Sequence, residues 1–198
     1  MCCKPPSTVP SNAHPNHNAY CLTGANSNVG RENSRCQHPS LGWFKINTDG
    51  SSDLSLGHTT CGGVSRDSTG NWIFEFYKYI GICTTLEAEI WGLYVGVMCA
   101  LKRGVQKVII ESNCSQAINL LLAGKSDQVT APIIRHICDF TKELEGVCFQ
   151  HVKRGCNTVT DRLCKLACSS KFEVHLVEYP TEELKTLLDA DVFGPVVG

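Results

Sequence analysis

The spacing of apolar positions along the chain changes near residue 84, and the change separates a strand-forming half from a helix-rich half. Before it, Trp43–Asp49, Gly62-Gly63-Val64-Ser65-Arg66 and Asn71-Trp72-Ile73-Phe74-Glu75-Phe76 predict three short strands. The turn Asp67-Ser68-Thr69-Gly70 makes the second and third an antiparallel hairpin. After it, Leu86, Ile90, Leu93, Val97 and Leu101 fall at helical spacing. Thr84-x-x-Glu87 is a capping box at the start of that helix and Gly104 closes it. Lys107-Val108-Ile109-Ile110-Glu111 is a compact apolar strand of the kind buried on both faces of a sheet. Asn113-x-x-Gln116 then caps a short helix running through Leu122, with Gly124 at its end. A helix from Pro132 to Leu144, a strand Val147–Val152 and a helix over 158–168 complete the pattern. Three strands in a meander, then helix–strand–helix–helix–strand–helix, predict an α/β domain: a mixed five-stranded sheet flanked by helices.

Composition sets the limits around that core. Residues 1–40 are rich in Pro, Asn, Ser and His without periodicity and read as a disordered leader. The domain is expected over 41–170, with a C-terminal tail over 171–198. A net charge of −1 on 198 residues gives no long-range attraction for polyanions, so nucleic-acid binding would need a local patch. The chain carries 13 Cys but no Cys-x-x-Cys, which excludes a zinc site of that spacing. Many lie inside apolar segments, as small buried hydrophobes of a reducing compartment would. Neither a signal-peptide pattern nor an apolar run of ~18 residues occurs, so an intracellular protein, nuclear or cytoplasmic, with no membrane association is expected.

Chemistry gathers at four places: Asn47-Thr48-Asp49-Gly50-Ser51, Leu86-Glu87-Ala88-Glu89-Ile90, Glu111-Ser112-Asn113-Cys114-Ser115, and Asn157-Thr158-Val159-Thr160-Asp161. Taken singly each has an ordinary reading. Asp49-Gly50 is a turn dipeptide, Glu89 suits the start of a helix, Asn113 is a good N-cap, and Thr158-x-x-Asp161 fits a capping box. Taken in order, on those elements, they resemble the four acidic positions of the ribonuclease H family. The resemblance is closest to the plant type found in retroelement reverse transcriptases and covers about 41–170. His151-Val152-Lys153-Arg154-Gly155-Cys156-Asn157 resembles that type's His-Val-x-Arg-x-x-Asn.

The resemblance implies the ribonuclease H-like fold and cleavage of the RNA strand of an RNA–DNA hybrid by two divalent ions, Mg²⁺ or Mn²⁺. It implies that Asp49 bridges both ions, that Glu89 and position 113 hold one of them, and that Asp161 holds the other. It also brings Gly50, Ser51, Arg154 and Asn157 against the nucleic acid. The chain departs from the family where the third acid reads Asn113. An amide gives a metal a neutral oxygen, and at an effective dielectric of ~20 the missing charge is worth several kcal/mol of attraction before solvent compensates. Metal binding is therefore expected to be weak and hydrolysis impaired. A module that binds nucleic acid, or another partner, without cutting is the alternative. Glu111, two residues upstream, shares the strand parity a substitute carboxylate would need, but in a simple strand geometry it lies a turn too far from the cleft. Between the helix after Asn113 and the next, Gly124–Ala131 has no room for a basic helix to grip DNA, so hybrid affinity is expected to be low and salt-sensitive.

Overall fold

A computed structural model of the chain describes residues 19–20, 37–53, 57–123, 129–166, 172–180 and 185. Seven strands form one sheet in the order β1-β6-β5-β2-β3-β4-β7. They are β1 (Ala19–Tyr20), β2 (Phe44–Asp53), β3 (His58–Arg66), β4 (Trp72–Gly81), β5 (Lys107–Ser112), β6 (Gly146–His151) and β7 (Val174–Val177). The helices are α1 (Thr85–Lys102), α2 (Ser115–Ala123), α3 (Ala131–Thr141) and α4 (Thr158–Leu166). β2, β3, β4 and β7 pair antiparallel, whereas β5 runs parallel to both β2 and β6.

The five expected strands are the middle five of this sheet, and a short strand is added at each edge. β1 lays two residues of the leader alongside Gly146 and Val147, and β7 lays four residues of the expected tail along Glu75–Lys78. Both are too short for alternation to announce them, and their backbone groups find partners only because a longer strand is already in place. Of the rest of the expected leader and tail, only 37–40, 172–173, 178–180 and 185 belong to the described residues. Contacts with the domain nevertheless begin before the expected boundary at Leu41: Pro39 is buried, and Gln37 O accepts from Lys45 Nζ.

α1 starts where the capping box predicts. Thr84 Oγ1 accepts from the Glu87 N–H at 3.2 Å, and Glu87 Oε2 accepts from the Thr84 N–H at 2.6 Å. Its end is marked by Gly104 in the left-handed region, φ 69°. The helix packs across β2, and Gly92 and Gly96 bring its backbone close to Thr48. Its core-facing side chains join Ile46, Phe74, Phe76, Ile110 and Phe149 with parts of α2 and α3 in the larger apolar cluster. On the opposite face of the sheet α4 covers a smaller cluster of Val64, Val159 and Leu163, flanked by Trp72. β5, flanked on both sides by parallel strands, has the buried apolar character its sequence predicts.

Cys61, Cys83, Cys99, Cys114, Cys138, Cys148 and Cys164 are free. Cys61, Cys99, Cys148 and Cys164 are buried. Burial pushes the Cys61, Cys99 and Cys164 thiols well above their ordinary range, so they stay protonated. No helix among the described residues is long and apolar enough to cross a membrane.

Candidate active site

The site forms where the sheet divides. β2 stays paired with β3 to Asp53↔His58, but its parallel partner β5 ends at Thr48↔Ser112. Asp49 is thus not the last residue of its strand, as the apolar pattern suggested. It is the first residue beyond the point where β5 turns away. A crevice at the carboxyl end of a parallel strand is the usual place for a ligand in a sheet of this kind.

Gly50 brings the second acid there. A Cβ on Gly50 would lie 2.5 Å from the carbonyl carbon of Ala88, 2.9 Å from its oxygen and closer still to Glu89 N. The first turn of α1 therefore rests on the backbone of β2, with the Glu89 carboxyl beside that of Asp49. Asp49 and Glu89 are 5% exposed each, and the two side chains hydrogen-bond to one another. Burial raises the Glu89 carboxyl most, and the Asp49 charge raises it further, against the Ser112 hydroxyl, which donates to Glu89 Oε2 at 3.1 Å. Asp49 is also raised, by burial first and by Asp161 next, while Glu89, the Gly50 N–H and Arg154 oppose the rise. Without a cation the pair holds a proton, with Glu89 as donor and Asp49 as acceptor.

Position 113 lies at the end of β5, half-exposed, beside this pair. Asn113 is not the N-cap of α2 as expected, because the helix starts at Ser115 and its first turn closes on Cys114, with Ile118 N donating to Cys114 O at 3.2 Å. The Asn113 side chain is turned instead to Asn157, whose Nδ2 donates to Asn113 Oδ1 at 3.2 Å and to Thr48 O at 2.8 Å. His151 Nε2 lies 3.2 Å from the backbone oxygen of Asn113. Asn157 is 2% exposed, and its own Oδ1 has no partner. It stands just before α4, and Asp161 N donates to its carbonyl at 3.1 Å, so Asn157 rather than Thr158 bounds that helix. Asp161 faces the Arg154 guanidinium at 3.9 Å, with the arginine side chain 84% exposed.

Asp49, Glu89, Asn113, Asn157 and Asp161 thus share one end of the sheet, Gly50 forms its floor, and Ser51 lies half-buried beside it. Glu111 does not reach them. Its Oε1 pairs with Lys45 Nζ at 2.7 Å, and its Oε2 accepts from Asn47 Nδ2 at 2.8 Å, so a substitute carboxylate from that position is excluded. Among the described residues no three His, Cys, Asp or Glu side chains converge at metal-ligand spacing. Asp49 and Glu89 offer a cation the hard oxygens now joined by a proton, whereas the amide oxygen of position 113 is engaged by Asn157.

Three contributors escaped the sequence reading. Ser112 orients Glu89, Cys164 Sγ donates to Asp49 O at 3.3 Å, and the Thr48 carbonyl fixes the Asn157 amide. Strand parity carried a signal for Ser112, which falls on the α1 face one residue before Asn113. Nothing in the sequence pointed to the other two.

The reverse transcriptase-like family model matches residues 47–167. An Arabidopsis thaliana protein named as a ribonuclease H protein is 33% identical over 157 residues, which is 79% of this chain and 25% of that protein. The chain therefore spans about a quarter of the length of this curated relative. Among solved structures, ribonuclease H1 of Halobacterium salinarum superposes with a TM-score of 0.57 at 20% identity, over 63% of this chain and 96% of that one. The N-terminal RNase H domain from Mycobacterium tuberculosis gives 0.59 at 22%, over 63% and 92%. LC11-RNase H1, solved with an RNA/DNA hybrid, gives 0.57 at 24%, over 63% and 95%. At these identities the structures establish the fold.

Proposed function

Because the chain belongs to the reverse transcriptase-like family of the ribonuclease H-like superfamily, we propose that it is a retroelement-derived domain that recognises RNA–DNA hybrids and whose hydrolytic centre is weakened at position 113. The observation that carries the reading is the hydrogen-bonded Asp49–Glu89 pair, held at the division of the sheet by the Gly50 contact. A divalent ion bound there, Mg²⁺ or Mn²⁺, would stabilise charge developing on the cut phosphodiester. Asp49 and Glu89 would hold it, displacing their shared proton. Ser112 keeps Glu89 turned toward Asp49, and Asp161 would add its charge near Asp49, with Arg154 as an exposed cation for the backbone of the nucleic acid. Position 113 adds no charge to this set.

The test is cleavage of a labelled hybrid by the purified chain and by Asn113→Asp. One oxygen of the introduced carboxylate would keep the hydrogen bond from Asn157 and the other would be left for the ion. Cleavage with Mg²⁺ or Mn²⁺ should then rise at least tenfold, which lowers the barrier by about 1.4 kcal/mol or more. Asp49→Asn in the same background should abolish it. A parent chain that cuts as fast as Asn113→Asp overturns the reading of a weakened centre. The second reading, a module that binds without cutting, draws on the engagement of Asn113 Oδ1 by Asn157, and it becomes the better one if Asn113→Asp gains nothing while hybrid binding persists.

A further inference from the structure

We propose that Asn113 acts as a hydrogen-bond donor to a non-bridging phosphate oxygen of the bound nucleic acid, in place of the metal-ligand role its position would otherwise have. The inference rests on the hybrid-recognition reading above.

One contact at the site sets the orientation of both amides. Thr48 O is a backbone carbonyl and only accepts, so the Asn157 atom 2.8 Å away is its Nδ2. The same Nδ2 lies 3.2 Å from the Asn113 side chain, and that atom must therefore be the acceptor Oδ1. This fixes the orientation of Asn113: its oxygen is turned inward to Asn157, and its Nδ2 is the other pole. Asn157 maintains this arrangement at the expense of its own Oδ1, which is buried without a partner. Exchanging the Asn157 amide atoms would satisfy nothing and would set two oxygens against each other at Thr48.

No acceptor among the described residues takes the Asn113 Nδ2, and the residue is half-exposed beside the Asp49–Glu89 pair. His151 Nε2 meets the Asn113 backbone oxygen at 3.2 Å and steadies the main chain there. An aspartate at this position would offer a phosphate only repulsion unless a cation stood between them. Asparagine offers an N–H directly, and Arg154, 3.9 Å from Asp161, adds an exposed guanidinium. The complementary ligand is an oxyanion that accepts hydrogen bonds, as the phosphodiester backbone does along its whole length.

The experiment is hybrid binding in EDTA, where no ion can bridge, measured by fluorescence anisotropy on the full chain. Melting curves confirm that each variant is folded. Asn113→Ala should weaken binding roughly tenfold, as expected for loss of a hydrogen bond to a charged group. Asn113→Asp should weaken it more than Asn113→Ala, because it replaces attraction by repulsion. Asn113→Ser, which keeps a donor, should stay within roughly threefold of the parent. A DNA duplex of the same sequence serves as the second ligand, and Asn113→Ala should weaken its binding in proportion. A loss confined to the hybrid would transfer the contact to a ribose 2′-hydroxyl and overturn the phosphate assignment. Variants that all bind like the parent overturn the donor role while leaving hybrid recognition standing. A parent that binds no hybrid overturns the recognition reading itself, and the inference with it.

Discussion

Gly50→Ala adds one methyl group at the place where α1 touches β2, where the backbone leaves no room for it. The new Cβ would sit 2.5 Å from Ala88 C and 2.9 Å from Ala88 O, and nearer still to Glu89 N. All three are main-chain atoms, so no rotamer change relieves the overlap. Restoring ordinary contact, about 3.5 Å between carbons, requires the first turn of α1 to move outward by roughly 1 Å. Overpacking of this kind costs about 1–3 kcal/mol, offset by roughly 0.4–1 kcal/mol from the reduced freedom of the unfolded chain. For a protein of this size the net loss should lower the melting temperature by roughly 2–8 °C. The displacement also withdraws Glu89 from Asp49, and a shift of about 1 Å at reacting groups costs about a hundredfold in rate. Gly155→Ala is the control, since a Cβ there meets nothing within 4 Å. The assay is thermal melting of both variants, together with hybrid cleavage in the Asn113→Asp background. A Gly50→Ala protein that melts within a degree of Gly155→Ala and cuts equally well would refute the claim that main-chain contact sets the spacing of the two acids.

Glu75 is 1% exposed, and burial raises its carboxyl to about 7 against the Trp72 indole N–H at 3.3 Å. The folded state holds that proton more tightly than the unfolded chain, so the contribution of Glu75 to stability is full below about pH 4.5 and is lost as the pH rises through about 7. A shift of that size is worth about 3 kcal/mol, and Glu75→Gln should flatten the decline between about pH 5 and 8; parent and variant melting curves that stay parallel would contradict this. Because Asp49 and Glu89 share a proton, Mn²⁺ should bind once, with roughly millimolar affinity, more tightly at about pH 8 than at about pH 6 and with proton release. Calorimetry that finds two tight Mg²⁺ sites would contradict it.

Most of the fold was legible because its signals are local. The capping box at Thr84 and Glu87, the apolar run of β5 and the turn at Asp67–Gly70 each act within a few residues. The edges of the sheet were not legible. Ala19–Tyr20 and Val174–Val177 pair only with strands distant in sequence, and no short-range pattern reports that. At the site, order and spacing named the residues brought together at one end of the sheet, yet they misjudged how one of them behaves. Asn113 looked like a helix cap because Asn often is one, but the pull of Asn157, 44 residues away, decides its orientation. Glu111 shares strand parity with the site but was expected to fall a turn short of it, and Lys45 and Asn47, more than sixty residues earlier, hold it away. Local chemistry proposes a role for a polar side chain, and a partner from another element decides it.

The buried thiols have a use beyond filling space. Cys61 belongs to the larger apolar cluster beneath α1, whereas Cys164 lies on α4 with its sulfur against Asp49 O, on the other side of the sheet. Both stay protonated and shielded while their layer is closed, so a thiol reagent can reach them only through transient opening. Among the cysteines whose side chains are described, Cys83, Cys114 and Cys138 are partly exposed and would be labelled ahead of these two. After that fast phase, mass spectrometry of the labelled chain resolves two slower clocks, one for each layer. Equal rates would mean that the sheet sheds both layers in one cooperative event. A faster Cys164 would mean that α4, with Asn157 and Asp161 at its start, swings away from the site while the rest of the domain stays closed.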